Sequence, residues 1–406
     1  MPENNPIMQE RVQDAFKVWS EKGDQIITPE NFSTEEEIQN VINGFESRYE
    51  LTNVVNKRLA ADEFDEIFAG TKPPYHYGRA GHNNRTILEN RITAIETAGL
   101  SHPEWFETAL FGWGMDAIST VLTVLGRQDG RFIRGKVMYG HTASILDTPT
   151  KKGCDSNGNE ILLNDVGSQP ALVVDLKDTK NLEKALSEHS NILGIDLEPF
   201  ENPTLGHTDV RETSKLAHKY GIPVIADLTF TPTLINPFRM GADIVVHSAT
   251  KYYSGGGDLS GGFAIMPNEI AKEVKSYQTS NGRVMTHIDA GMYVPRVPKV
   301  LNRIITHSKN AAKLARELNN IDKIEVLYKD MGNKTRDGFA GGVISFVFKG
   351  NENEAYIKAR KMGNYLENNK REDIKLAVSL GDKETLVFPE ALAGKSYLTK
   401  TNVPFG

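Results

Sequence analysis

The chain has a single cysteine in 406 residues. That thiol, Cys154 in the polar stretch KKGCDSNGNE, excludes an intramolecular disulfide and a CxxC metal site, and it fits a reducing compartment. Basic charge is also in deficit: 47 Lys and Arg stand against 53 Asp and Glu, a formal net charge of −6. Without a cationic excess a chain has little to offer polyanions, so nucleic acid and anionic membranes are poor partners. Nowhere do about 18 apolar residues run together, the length a membrane helix needs. The opening MPENNPIMQERVQD lacks the cationic and apolar regions of a leader, so the expectation is a soluble, cytoplasmic protein. Repeats and low-complexity tracts are missing too.

What is present is length enough to bury a large core without staples, and a pattern that changes along the chain. Residues 1–74 are polar and read as a helical arm or packing segment, with Ser33 and Glu36 at capping-box spacing. Residues 75–285 alternate helical stretches with short apolar runs, among them ALVVDL, NILGIDL, IPVIADL, ADIVVHSA and GGFAIM. Such alternation predicts an α/β domain whose mostly parallel sheet is buried on both faces. Residues 286–406 change order again and predict a smaller α+β domain. The clearest surface loop is SNGNE around Asn157.

In a parallel sheet, ligands bind beyond the carboxyl ends of the strands. Two apolar runs end informatively: IPVIADL on Asp227, and ADIVVHSATK on Ser248, Thr250 and Lys251. A buried ion pair between Asp227 and Lys251 is one reading. The other is chemical, because a desolvated lysine loses its proton easily and a neutral amine condenses with an aldehyde. Pyridoxal phosphate needs a lysine for its aldehyde, a carboxylate for its ring nitrogen and donors for its phosphate. Lys251 and Asp227 meet the first two needs. Ser248, Thr250 and the amides opening a helix in FGWGMDAISTVLTVLG meet the third. That last stretch also matches GxGxxA through Gly112, Gly114 and Ala117, but no clear apolar strand precedes it, which weakens a dinucleotide reading.

The segments DIVVHSATKY and ADLTFTP, together with YGRAGHNNRTILENRITAIE, VMYGHT, LEPFENPT and AVSLGDKETL, resemble the Cys/Met-metabolism family of pyridoxal-phosphate enzymes over Tyr75 to Leu386. The resemblance implies the type I fold of PLP-dependent transferases. It also implies that Lys251 binds the cofactor aldehyde, Asp227 its ring nitrogen, and Ser248, Thr250 and the amides of Gly114 and Met115 its phosphate. Tyr77 and Arg79 match residues that reach the phosphate in a neighbouring subunit, which implies a homo-oligomer, a dimer or tetramer with shared active sites. Tyr139 matches a tyrosine over the cofactor ring that serves as acid or base, Asn202 an asparagine near the phenolic oxygen, and Ser379 a serine near the substrate carboxylate. Glu198 reads as a turn residue.

The pattern departs in places. Gly81-His82-Asn83-Asn84 stands where the family has G-N-P-T, Trp113 and Gly114 occupy the stretch where it has a serine, and His141 follows Tyr139-Gly140. His141 is either a proton carrier or a bystander. The family continues past SLGD to an arginine for the substrate carboxylate, whereas only Lys395 and Lys400 are cations after Glu384 here, so the C-terminal domain reads as shortened: either the carboxylate is held differently, or the natural gene is short here, or the sequence is incomplete. The implied activity is a C–S lyase acting by γ-elimination on methionine-like or cystathionine-like amino acids. The alternatives are γ-replacement, as in O-acetylhomoserine sulfhydrylases and cystathionine γ-synthases, or a cofactor-binding homologue without catalysis. No metal is implied.

Overall fold

Short runs rich in Val, Ile, Leu and Ala, bounded by Gly, Pro or Asp, become strands when both of their faces can be covered. The computed structural model describes residues 6–45, 66–67, 77–126, 130–148, 152–154, 160–162, 166–167, 169–369, 374–377 and 379–389. Its helices are α1 (Pro6–Ser20), α2 (Glu35–Asn43), α3 (Asn83–Glu96), α4 (Gly114–Leu125), α5 (Gly140–Asp147), α6 (Thr179–Glu188), α7 (Val210–His218), α8 (Asn268–Ser280), α9 (His287–Tyr293), α10 (Val300–Asn319) and α11 (Glu352–Asn369). The first nine strands are β1 (Phe106–Phe111), β2 (Arg131–Gly135), β3 (Lys152–Cys154), β4 (Glu160–Leu162), β5 (Leu172–Val174), β6 (Ile192–Leu197), β7 (Val224–Asp227), β8 (Ile244–His247) and β9 (Gly262–Pro267). Later come β10 (Ile324–Val326) antiparallel to β11 (Phe346–Phe348), and β12 (Ile374–Leu376) parallel to β13 (Thr385–Val387).

Seven strands form one sheet in the order β1-β9-β8-β7-β6-β2-β5. The pairs from β8 to β5 are parallel, while β9 runs antiparallel to both β8 and β1. β1 therefore shares the direction of the parallel strands. One face carries Leu197, Val224, Ala226 and Val245, packed with α3, α6, α7 and α9; the other carries Ile225, Ile244, Val246 and Ala264, packed with α1, α4, α5 and α8. Both faces are dry, which is why these strands read as continuous apolar runs. No described helix is long and apolar enough to cross a membrane.

Three expectations change. The capping box sits one residue later: Thr34 caps α2 with Glu37 returning the bond, while Ser33 is buried and donates to the Ala98 carbonyl. A strand, β1, does precede Gly112; Glu107 and Thr108 break its apolar run, so it escapes a pattern search. Cys154 ends β3 in a hairpin with β4 rather than lying in a loop. The helices expected after α2 as far as Ala60, the loop residue Asn157, and Lys395 and Lys400 lie outside the described residues.

Asp243, buried just before β8, ties the first helix to the sheet. Its carboxylate accepts the Trp19 indole N–H at 2.7 Å, the Val224 amide at 2.7 Å and His218 Nε2 at 3.0 Å. Burial by itself would lower the His218 pKa, but the bond to Asp243 and the charges of Asp243 and Asp24 raise it above the ordinary value. Asp243→Ala strands those buried donors and should cost about 3–5 kcal/mol, read from the urea midpoint at fixed protein concentration. Because the folded His218 pKa is the raised one, its contribution is full below about pH 6.5 and is lost as pH rises through the folded value. His218→Gln should therefore destabilise more at pH 6 than at pH 8.5; equal effects at both would contradict this account.

Candidate active site

Strands that share a direction deliver the residues beyond their carboxyl ends to one edge of the sheet. β1 leads there to Trp113 and the start of α4, β2 to Tyr139 and the start of α5, and β6 to Glu198. β7 ends on Asp227, and β8 leads to Ser248, Thr250 and Lys251. All of these residues line one cavity of about 970 Å³, together with Met115, His141, Asn202, Thr229 and Ser379.

Lys251 Nζ donates to Ser379 Oγ at 3.2 Å, and burial lowers its pKa, so the amine gives up its proton more readily than an exposed lysine. The loop bearing Ser379 comes this close because Gly381, at φ +80°, has no Cβ; one would sit 2.7 Å from the Lys251 carbonyl carbon. Asp227 accepts the Thr229 amide at 2.9 Å, and Thr229 Oγ1 in turn accepts the Ser248 amide at 2.8 Å. Thr229 thus braces both strand ends, a role invisible in ADLTFTP because it depends on strand pairing. Burial raises the Asp227 pKa, against the opposing effects of the Thr229 bonds and of His247.

Tyr139 is the N-cap residue of α5, and its ring lies 5.4 Å from that of His141. Burial, with Asp227 and Glu198 nearby, raises the phenol's pKa, so the hydroxyl keeps its proton at neutral pH. Glu198 is more than a turn residue: its two oxygens accept the amides of Tyr139 at 2.8 Å and Asn202 at 2.7 Å. Thr250 reaches the cavity, but its hydroxyl bridges Gly261, donating to the carbonyl at 3.2 Å and accepting from the amide at 3.0 Å. Tyr77 and Arg79 are not brought to the cavity within this chain; Arg79 Nη1 donates to the Thr279 carbonyl at 2.8 Å and its guanidinium stands over the Tyr77 ring.

The residues present fit a phosphorylated pyridine aldehyde. Helix α4 opens on Gly114 with no side-chain cap, which leaves its first amides, at the positive end of the helix dipole, facing the cavity. Ser248 packs against that turn only because residue 114 lacks a Cβ, which would stand 2.7 Å from Ser248 Cβ. Carboxyls crowd the ends of β6 and β7: burial raises Asp196, Glu198 and Asp227 alike, and the charge of Asp227 pushes the first two further. Acids held from water in this way favour a cation among them, a demand that a protonated ring nitrogen at Asp227 meets.

The profile of Cys/Met metabolism PLP-dependent enzymes matches residues 47–401. The chain belongs to this family. It is therefore an enzyme that uses pyridoxal 5′-phosphate. An L-methionine gamma-lyase from Fusobacterium nucleatum subsp. polymorphum is 32% identical over 355 residues, which cover 84% of this chain and 81% of that one. A cystathionine gamma-lyase from Bacillus subtilis is 30% identical, covering 79% and 78%. The solved cystathionine gamma synthase from Xanthomonas oryzae pv. oryzae, in complex with cystathionine, superposes with a TM-score of 0.69 over 91% of this chain and 92% of its own, at 22% identity, a likeness of fold. That fold is the type I architecture of PLP-dependent enzymes.

Gly114→Ala should push the first turn of α4 away from Ser248. Losing one charge-assisted bond to the phosphate weakens binding by about 1.5–3 kcal/mol, roughly tenfold or more in the dissociation constant. Fluorescence titration of the stripped protein with pyridoxal phosphate checks this, and unchanged affinity would show that the phosphate does not sit at this helix start.

Proposed function

We propose that this enzyme is a C–S lyase that cleaves methionine-like or cystathionine-like amino acids by γ-elimination. The observation that carries the reading is the meeting, in one cavity, of Lys251 with a pKa lowered by burial, Asp227 at the adjoining strand end and a protonated Tyr139 hydroxyl. The gamma-lyase relatives at 30% identity and above support the same choice of reaction.

For methionine the balance is L-methionine and water to 2-oxobutanoate, ammonia and methanethiol. When bound, pyridoxal phosphate supplies an electron sink for the charge left as the α-proton departs. Lys251 Nζ, made less basic by its surroundings and oriented by Ser379, takes that proton and carries it onward. Asp227 holds a proton at the ring nitrogen. The α4 amides of Gly114 and Met115 and the Ser248 hydroxyl anchor the phosphate, with Thr250 steadying the strand end through Gly261. Tyr139 donates to the departing sulfur, for which a phenol that has kept its proton is suited. Asn202 orients the phenolic oxygen, and Ser379 also faces the substrate carboxylate.

The same reading divides the chain into an N-terminal segment 1–74, a cofactor domain 75–285 and a smaller domain 286–406. It makes Tyr77 and Arg79 reach a neighbouring subunit's phosphate in a homodimer or homotetramer; their position outside this chain's own cavity supports that. One cysteine in 406 residues supports a cytoplasmic setting.

The purified protein should absorb visible light through its lysine-bound cofactor and release 2-oxobutanoate from L-methionine or L-cystathionine. Lys251→Ala should remove the absorbance and lower turnover at least ~10³-fold, the scale of losing a nucleophile and base together. A thioether formed from O-acetylhomoserine and a thiol, without keto-acid release, would mark a replacement enzyme instead. A coloured protein inert to all three substrates would mark a homologue that binds the cofactor without catalysis.

A further inference from the structure

Helix α5 begins at the Tyr139–Gly140 junction without a cap of its own. Its first turn holds no acidic residue and no side chain caps it. In a capping box, a Glu at the third helical position accepts the amide of the N-cap residue. Here that position is Thr142, which is too short to return the bond, and the acceptor comes from far along the chain: Glu198, just beyond β6, accepts the Tyr139 amide at 2.8 Å. The other oxygen of the same carboxyl accepts the Asn202 amide at 2.7 Å. Glu198 is only 8% exposed, so water does not compete for either bond.

We infer that Glu198 is a positioning residue that ties the backbone amides of Tyr139 and Asn202 to each other through one carboxyl, and so fixes the spacing of the two segments that carry the phenol and the carboxamide at the cavity. The inference rests on reading the cavity as the catalytic site, but the clamp itself exists whatever the substrate. Separating the two backbone segments requires breaking a bond to a buried carboxyl, which costs more than breaking one in water. The groups facing Glu198 are the carboxyls of Asp227 and Asp196 and the phenol of Tyr139. Burial and the charges of Asp227 and Asp196 raise the pKa of Glu198, while its two amide bonds lower it, with burial and charge prevailing.

The decisive measurement is on the wild-type holoenzyme, labelled with ¹⁵N at tyrosine and asparagine. Titration of one shared carboxyl should move the Tyr139 and Asn202 amide resonances with a common midpoint. Different midpoints, or movement of only one amide, would overturn the inference. Glu198→Gln keeps one acceptor but turns a donor towards the other amide, so one of the two bonds is lost. In this variant the bound cofactor should leave the holoenzyme about tenfold faster, monitored by its visible absorbance, and kcat should fall with KM nearly unchanged. In a Tyr139→Phe background the same substitution should lower kcat by no more than about twofold; an equal fold-loss in both backgrounds would mean that Glu198 does not act through Tyr139. If Glu198→Gln does not fold, the amide titration still decides. Coincident amide midpoints in an enzyme inert to methionine, cystathionine and O-acetylhomoserine would retire the proposed function and leave the clamp standing.

Discussion

The parallel pairing of β7 with β8 is the constraint on which the site depends. Asp227 lies opposite Val246, so the chain leaving β8 carries Ser248, Thr250 and Lys251 to the edge where β7 ends. An antiparallel pairing of the same two segments would send the acid and the lysine to opposite edges, about a strand length apart. The parallel direction in turn requires a crossover connection, here residues 228–243 with a single 3-10 turn at Pro237–Met240, and covering both faces keeps water from the strand ends. Burial, proximity and a lowered lysine pKa therefore share one cause.

Around that edge the electrostatics are arranged in two halves. One wall presents the uncapped start of α4, a site for an anion. The other presents Asp227, Glu198 and, beneath them, Asp196, whose carboxyl oxygens have no hydrogen-bond partner among the described residues. A phosphorylated pyridine carries its negative charge at one end and its protonated nitrogen at the other, which matches this polarity. The neutral tendency of Lys251 comes from burial without a carboxylate partner among the described residues: its Nζ bonds a serine hydroxyl.

Much of this is legible along the chain. The strands β6 to β9 announce themselves as dry apolar runs, and Asp227, Ser248 and Lys251 stand out because polar groups ending such runs need a reason. What hides is whatever depends on context. β1 carries the adjacent Glu107 and Thr108, which interrupt the apolar run at an edge strand of the sheet. Ser33 and Thr34 are equivalent as caps by residue type; burial of Ser33 against the Ala98 carbonyl leaves the capping to Thr34.

Residue identity and local period determined the architecture and the chemistry of this protein: a doubly covered parallel sheet, a lysine and an acid at neighbouring strand ends, and a glycine where a helix start must meet a serine. Those features are properties of short segments. Only the tertiary structure decided which hydrogen bonds the polar groups spend. It committed the Thr250 hydroxyl to Gly261, kept Tyr77 and Arg79 away from this chain's own cavity, and joined Glu198 to an amide 59 residues earlier. A hydrogen bond is set by distance and direction to within a few tenths of an ångström, and residues far apart in sequence acquire that relation only when the sheet has closed.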